Sequence, residues 1–462
     1  MSSEVFSSSL AYPQMKQRAI SSRSYRAKIS PSNSQSFTMG QTINLDLPSN
    51  QSGTYYNYNQ MYLKFKVTNG DGQPVTLDRA GAACLIRRIA INTAGASLYD
   101  CDKWNVLYTA LMDTEASAEW KGSVGNILTG TSGSNLGGET IPNGATGFRT
   151  FCIPMVLNPL ANTTPHRLIP AFSLSSIQYR ITLDDAKNSL VGNTGLLNSD
   201  IVISDVEMVC LMTELSPSAQ AQVDQMTGGV YNILANSYMN SSATMTASSQ
   251  VTANLGFSVS SLERILLVQR QSATFVDPHT KFSIGNRATN GLSEYQYLIN
   301  SESYPSRPIV VEGQQAEACA ELLIANHSLT DYRAGNTLNN NAVKTGTLVS
   351  LCNQSGSQGI FPNAYSTADP AGTSVGVLGA NDAGTTGGNI GTALFGCEFE
   401  TGLSDGKSST IYSGVSTLAS NVQFLGKYSN GTPTGATLDF FAMFSVLISL
   451  DMKGSGVFSV SV

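Results

Sequence analysis

The strongest constraint on this chain is the recurrence of short apolar runs separated by glycine- and asparagine-rich punctuation. That pattern fits strands joined by turns and leaves little room for long helices. From residue 43 the runs follow one another. YLKFKV carries Tyr62, Phe65 and Val67, LIRRIAI spans Leu85–Ile91, and FRTFCIPMVL starts at Phe148. IQYRITL starts at Ile177 and IVISDVEMVCLM at Ile201; later runs lie at Asn421–Leu425 and Leu438–Leu450. The closing GVFSVSV alternates after Gly456. YLKFKV leads into Asn69-Gly70-Asp71-Gly72, which reads as a hairpin turn. Composition agrees. Only 13% of residues are charged, against about 25% in an average globular protein. Gly, Ser, Thr and Asn take their place, and these favour turns and short strands. The expected fold class is all-β.

Some segments break the strand pattern. WNVLYTALM places Trp104, Leu107, Tyr108 and Leu111 at i, i+3, i+4 and i+7, which predicts an amphipathic helix. SPSAQAQVDQM predicts a second helix, with Ser216 as N-cap, Pro217 at the first helical position and Gly228-Gly229 at its end. The second helix marks a domain boundary. The predicted organisation is an arm over residues 1–42, a β domain over 43–214, a linker helix over 215–229 and a second β domain over 230–462. The arm carries Lys16, Arg18, Arg23, Arg26 and Lys28 against Glu4 alone. It is expected to be disordered or extended, and is suited to touching membrane, nucleic acid or an internal partner. The second half reuses the vocabulary of the first. SSLERILLV (Ser260–Val268) echoes ACLIRRIAI (Ala83–Ile91), and a helical pattern at Gln315–Ile324 stands where WNVLYTALM does. A Gly/Ser/Asn/Thr tract at Asn353–Gly391 mirrors a long loop at Gly122–Gly147. Two tandem copies of one β domain are expected.

Charge and hydropathy narrow the function. A net charge of −6 argues against a surface built to grip nucleic acid. No stretch approaches the roughly 18 apolar residues of a spanning helix. The longest, Phe440–Leu450, is broken by Ser445 and reads as a buried strand. MSSEVFSSSLAYPQ lacks the basic and apolar regions of a signal peptide, so the chain is expected to be made and kept in the cytosol. Cys84, Cys101, Cys152, Cys210, Cys319, Cys352 and Cys397 are scattered, odd in number and without C-x-x-C. Most are expected to be small buried apolar residues in a reducing compartment rather than a disulfide framework.

No motif carries catalysis. Gly402–Ser408 resembles a phosphate loop but has three residues between its glycines where four are needed. Asn69–Gly72 lacks the Glu that would complete a calcium loop. His166, His279 and His327 have no metal-ligand partner at i+2 to i+5. Asp184 and Asp185 are adjacent at a strand end and point to opposite faces, a poor geometry for shared acid–base work. Asn162, Asn240, Asn326 and Asn430 begin Asn-x-Ser/Thr triplets of the kind that a chain rich in these residues contains by chance. Tyr55, Tyr56, Tyr58 and Tyr62 read as core or subunit contact rather than a stacking platform. No catalytic, cofactor-binding or metal residue is assigned.

Ordered segments then point to a family. Cys84–Ile89, Gly95 and Trp104–Tyr108 through Asp113 resemble the strand–turn–helix of double jelly-roll major capsid proteins, especially those of polinton-like viruses, virophages and related eukaryotic DNA viruses. Phe151–Pro154 to Leu160, Leu168–Pro170 to Leu174, and Tyr179–Leu183 are similar to the family's late strands in the first jelly roll. Tyr304–Ile309 with Ala316-Glu317-Ala318 to Leu323, and the closing GVFSVSV, resemble its second half. The resemblance covers the chain from about residue 43 onward. It implies two tandem eight-stranded antiparallel jelly rolls with short helices in loops, standing roughly perpendicular to a shell. It further implies a homotrimer of pseudo-hexagonal outline that tiles an icosahedral capsid beside neighbouring capsomers, penton and minor or cement proteins. The basic arm would face an internal membrane or genome, and residues 353–391 would form an exterior loop. The expected location is the virion, assembled inside the infected cell. No enzyme activity and no cofactor follow. The alternatives are a non-viral carbohydrate-binding β-sandwich, which calls for a signal peptide and exposed aromatics, and a cupin-like jelly-roll enzyme, which calls for clustered histidines.

Overall fold

The computed structural model describes residues 22–461 apart from 49–52, 94–95, 132–137, 145–146, 164–165, 173–176, 193–195, 247, 271–282, 286, 288–289, 312–314, 330–392, 400–413, 430–434 and 452–456. The first half opens with β1 (Ser22–Ile29), β2 (Ser36–Thr38), β3 (Thr42–Leu47), β4 (Thr54–Asn69), β5 (Val75–Leu77), β6 (Ile86–Thr93) and β7 (Ala96–Cys101). Helices α1 (Trp104–Glu115), α2 (Ala118–Gly122) and α3 (Val124–Thr129) follow. Next come β8 (Thr140–Ile141), β9 (Phe148–Pro154), β10 (Ile169–Pro170), β11 (Ile177–Leu183), α4 (Ala186–Ser189), β12 (Leu190–Val191) and β13 (Ile201–Leu215). Helix α5 (Pro217–Thr227) leads to the second half: β14 (Val230–Thr244), β15 (Gln250–Leu255), β16 (Leu262–Arg270), β17 (Leu292–Ile299) and β18 (Glu302–Val310). It ends with α6 (Gln315–Ala325), β19 (Phe395–Glu398), β20 (Val422–Tyr428), β21 (Thr437–Asp451) and β22 (Val457–Ser461).

Each half is a jelly roll, and the two follow one path. In the second half, β14–β21–β16–β19 form one sheet and β15–β20–β17–β18 the other. In the first, β13 lies between β1 and β4, with β2 also on β13 and β9 on β4, while the other sheet runs β3–β11–β6–β7. Every described strand pair is antiparallel. No described strand of one half joins a sheet of the other, so two antiparallel double-sheet sandwiches stand in tandem, the first with β12, β5 and β8 as a further small sheet. Helix α1 follows β7 as α6 follows β18, as their matching sequence patterns suggest.

Alternation builds the cores. Leu63, Phe65 and Val67 of β4 point inward, while Tyr62, on the opposite face, is only half-buried. Ile43, Leu45 and Leu47 of β3 and Ile177, Tyr179 and Ile181 of β11 supply the facing layer. In the second half Phe424 is fully buried, with ring centroids 5.6 Å from Tyr297 and 5.0 Å from Phe440. Ser216 Oγ caps α5 by accepting from the Ala219 N–H (3.3 Å), and Gly228 closes it in the left-handed region at φ 66°.

The structure corrects several expectations. Of the predicted arm, residues 1–21 lie outside the described residues, but Ser22–Ile29 is sheet, paired with Met208–Leu215. Of the basic residues that suggested a disordered or extended arm, Arg23 and Lys28 meet acids of β13, in the pairs Arg23–Glu214 and Lys28–Glu207. Gly122–Gly147 is not all loop. Ser117 Oγ caps α2 by accepting from the Trp120 N–H, and α3 follows at once, with Gly125 so close to the Trp120 ring that a Cβ would approach to 2.7 Å. Asn69–Gly72 is a turn, with Asn69 Oδ1 accepting from the Asp71 N–H (2.9 Å), but not a hairpin, because β4 and β5 enter different sheets. The echo of ACLIRRIAI in SSLERILLV pairs the wrong strands. By position in the sheets β16 corresponds to β4, and β6 to β17.

Phe424→Ala is expected to destabilise the second half by about 3–5 kcal/mol, the cost of a large cavity in a closed aromatic core. Chemical denaturation followed by tyrosine fluorescence measures it; a loss below about 1 kcal/mol would contradict this packing.

Candidate functional site

Among the described residues no group of three His, Cys, Asp or Glu side chains could hold a metal. His166 is exposed ahead of β10, and His327 lies beyond α6, where burial and then Arg264 pull it below the usual histidine range. His279, Cys352, Asn430, the Gly402–Ser408 segment and the 353–391 tract lie outside the described residues. Asp184 is buried and accepts from Asn105 Nδ2 (2.7 Å) and Asn188 Nδ2 (3.1 Å), whereas Asp185 Oδ1 accepts from Asn198 Nδ2 (2.9 Å). The two carboxylates thus bind different asparagines, and the Asp185 N–H donates to Asp184 Oδ1 (2.8 Å). Tyr55, Tyr56 and Tyr58 are core residues, so they offer no sugar platform. Cys84, Cys101, Cys210 and Cys397 are buried free thiols, and Cys152 and Cys319 are half-buried.

What the fold does bring together is charge, buried where the two halves meet. Asp113 lies near the C-terminal end of α1 and is 1% exposed. Its Oδ1 accepts from Arg79 Nη2 (2.9 Å) and from Lys121 Nζ (2.7 Å), and its Oδ2 from Arg287 of the second half. Burial alone would push the Asp113 carboxyl up. The cations of Arg79, Lys121 and Arg287 more than reverse this and hold it well below the usual carboxylate range. Beside it, Asp78 accepts from the backbone N–H groups of Arg79 (2.6 Å), Ile284 (3.0 Å) and Gly285 (3.1 Å). Here burial prevails, and the Asp78 carboxyl is raised despite those bonds. Residues 283–287 belong to the connection between β16 and β17, so the second half reaches into the first. Gly285 is required: a Cβ there would come within 2.5 Å of Arg79 Cδ and 2.6 Å of Asp78 Oδ1.

A second charged pin runs the other way. Lys103, in the left-handed region at the start of α1, reaches Asp439 Oδ1 of β21 (2.5 Å) and Ser242 Oγ of β14 (3.0 Å). Arg270 Nε donates to Asp439 Oδ2 (2.9 Å). Burial of Asp439 is again overcome, by Arg270 and Lys103, and its carboxyl is lowered. A cleft of about 300 Å³ opens alongside, lined by Arg87, Lys103, Asn105, Asp184 and Arg270. Sequence reading missed this joint, although it left a trace. In a chain with few charges, Asp439 sits between Leu438 and Phe440 and Asp113 directly follows the apolar WNVLYTALM run, places where an ionised group needs a partner.

No family model and no curated protein matches the sequence. Solved structures do match in fold. The PBCV-1 capsid protein VP54 superposes with a TM-score of 0.59 at 10% identity, covering 98% of this chain and 99% of that one. The Sputnik virophage structure gives 0.57 at 9% identity over 99% and 92%. The Faustovirus major capsid protein gives 0.56 at 8% identity over 95% and 92%. At such identities the likeness establishes the double jelly-roll fold.

Removing the Asp113 charge leaves buried cations uncompensated, so Asp113→Asn is expected to cost about 3–5 kcal/mol. Because the folded carboxyl is depressed, its contribution is present above the unfolded value of about 3.9. It is lost as pH falls below that value and through the folded one. Asp78, raised by burial, works in the opposite sense, with stability greatest when protonated and declining as pH rises through its folded value. Urea melts from pH 7 down to pH 2 should therefore show wild type losing its advantage over Asp113→Asn below about pH 4. An advantage that is constant across that range would refute the assignment. Gly285→Val should disrupt the same joint by steric insertion, read as a lowered thermal midpoint.

Proposed function

We propose that this chain is the major capsid protein of an icosahedral DNA virus. The observation that carries the proposal is the end-to-end match with the PBCV-1 capsid protein, in which nearly the whole of both chains is used. Tandem sandwiches joined by a rigid ionic joint suit a wall element, because each lobe keeps its own core while the joint fixes their relative pose.

Three copies would form a trimer with six similar lobes, giving a pseudo-hexagonal tile from one gene product. The domain plan that goes with this reading places the first jelly roll before residue 215 and the second after 229, with α5 as the link. Relative to the sequence expectation, the first lobe starts earlier, at Ser22. Only residues 1–21, which carry Lys16 and Arg18, would then be a basic tail towards an internal membrane or genome. The 353–391 tract lies between α6 and β19, in the same place as the excursion between α1 and β9, and would be the exterior loop. Neighbouring capsomers, penton and minor proteins would be its partners, and the infected cell its place of assembly. No catalytic role is assigned. The carbohydrate-binding alternative loses its support with the burial of Tyr55, Tyr56 and Tyr58.

Size-exclusion chromatography with light scattering on the full chain tests the reading. The expected result is a species of three times the chain mass, with shell-like particles in electron microscopy at raised concentration. A stable monomer that forms neither would overturn it.

A further inference from the structure

β1 differs from its counterpart in the other half. None of its eight residues is buried. Tyr25, opposite Met212 in register, is 37% exposed, and Ala27 and Ile29 are only partly covered. β14, in the equivalent place, buries Tyr231, Ile233, Ala235, Ser237 and Tyr238. β1 is thus held by its ladder to β13, by the partly covered packing of Ala27 and Ile29 on the core, and by surface pairs: Arg23–Glu214 (2.9 Å), Lys28–Glu207 (3.2 Å) and Ser24–Thr213 (3.2 Å). Exposed ion pairs are weak and screened by salt. Just beyond β1 the chain is anchored firmly. The Ser32 N–H donates to Asn44 O (2.9 Å), Asn33 Nδ2 to Thr42 O (2.8 Å), and the Asn44 N–H to Asn33 Oδ1 (3.1 Å). Between strand and anchor lies Ser30-Pro31, where proline biases the preceding residue towards extended backbone and away from a tight fold-back.

We propose that β1 is an exchangeable strand, which in assemblies of this chain leaves its own β13 and pairs with Met208–Leu215 of a neighbouring copy. Exchange of an identical element preserves every contact it breaks, so it costs little once copies lie side by side. Extended from Ser32, the ten residues back to Ser22 reach about 33–36 Å, enough to cross a contact between adjacent molecules. Arg23 and Lys28 facing Glu214 and Glu207 select the same register on the neighbour, because a slip by one residue would separate both pairs. The vacated edge, otherwise a row of unpaired backbone groups, is filled by the next copy in turn. The inference takes from the capsid reading only that copies pack side by side.

Ser24 and Thr213 sit opposite one another, so a cysteine at each position can form a disulfide across the pair. Full-length Ser24→Cys and Thr213→Cys proteins are mixed at high concentration, oxidised mildly and run on a non-reducing gel, with the double variant alongside. Exchange predicts a two-chain band in the mixture that neither single variant gives alone, and that high salt during mixing increases. A double variant that closes only within the chain, with no two-chain band in the mixture, would overturn the proposal. So would a double variant that fails to crosslink at all. The band is scored whether or not shells form, and particles are counted separately by microscopy. Particles without the band therefore sink the exchange and leave the capsid reading standing.

Discussion

An aspartate removed from water at a domain junction must be matched or the junction fails, and Asp113 sets that condition for the whole molecule. Its partners come from separate places: Arg79 after β5, Lys121 at the end of α2, and Arg287 from the connection between β16 and β17. All are nearly as buried as the carboxylate itself. None of these cations can move outward without leaving charge stranded in low dielectric, so the position of each element is tied to the others. The pair of Lys103 and Arg270 on Asp439 repeats the device from the opposite side. Two apolar sandwiches could slide over one another; two sandwiches pinned by oriented ion pairs cannot.

Much of the architecture was legible because sandwiches write themselves into sequence as alternation. The inward rows of β4, β11 and β13 stand out from their polar neighbours, and the Ser216-Pro217 start and Gly228 stop of α5 are local signals that need no tertiary context. The helices after β7 and β18 were legible for the same reason, since their periodicity departs from that of everything around them. The joint was not legible as a site. Its residues are scattered from Asp78 to Asp439, and only the fold brings them within bonding distance.

Where sequence reading went astray, the physical causes are specific. SSLERILLV and ACLIRRIAI look alike because both are short and apolar, yet they occupy different layers. β16 is buried along all nine residues, covered on both faces. β6 has one partly covered face and a bulge opposite Thr182 and Leu183, where both Arg87 and Arg88 are exposed. Period alone does not say which sheet a strand joins. The basic residues of β1 misled for a related reason: positive charge along a polar segment marks an arm only if no acidic strand lies beside it. Glu207 and Glu214 lie close to two hundred residues away in the chain, beyond the reach of any local window.

That distance has a further effect in the second half. β21 is the central strand of its sheet, flanked by β14 along its full length and by β16 as far as Phe444, with β22 taking over that flank from Leu447. β14 cannot join this sheet until β21 exists, yet it leaves the ribosome on the order of 200 residues earlier, roughly 10–40 s at ordinary elongation rates. During that interval Tyr231, Ile233 and Tyr238 have no sheet to enter, while the first lobe already has all its strands. A nascent chain therefore carries one finished sandwich and one open, adhesive one. On polysomes crowded with identical chains, the central strand of the second lobe is the element whose arrival decides between a properly closed subunit and a tangled one.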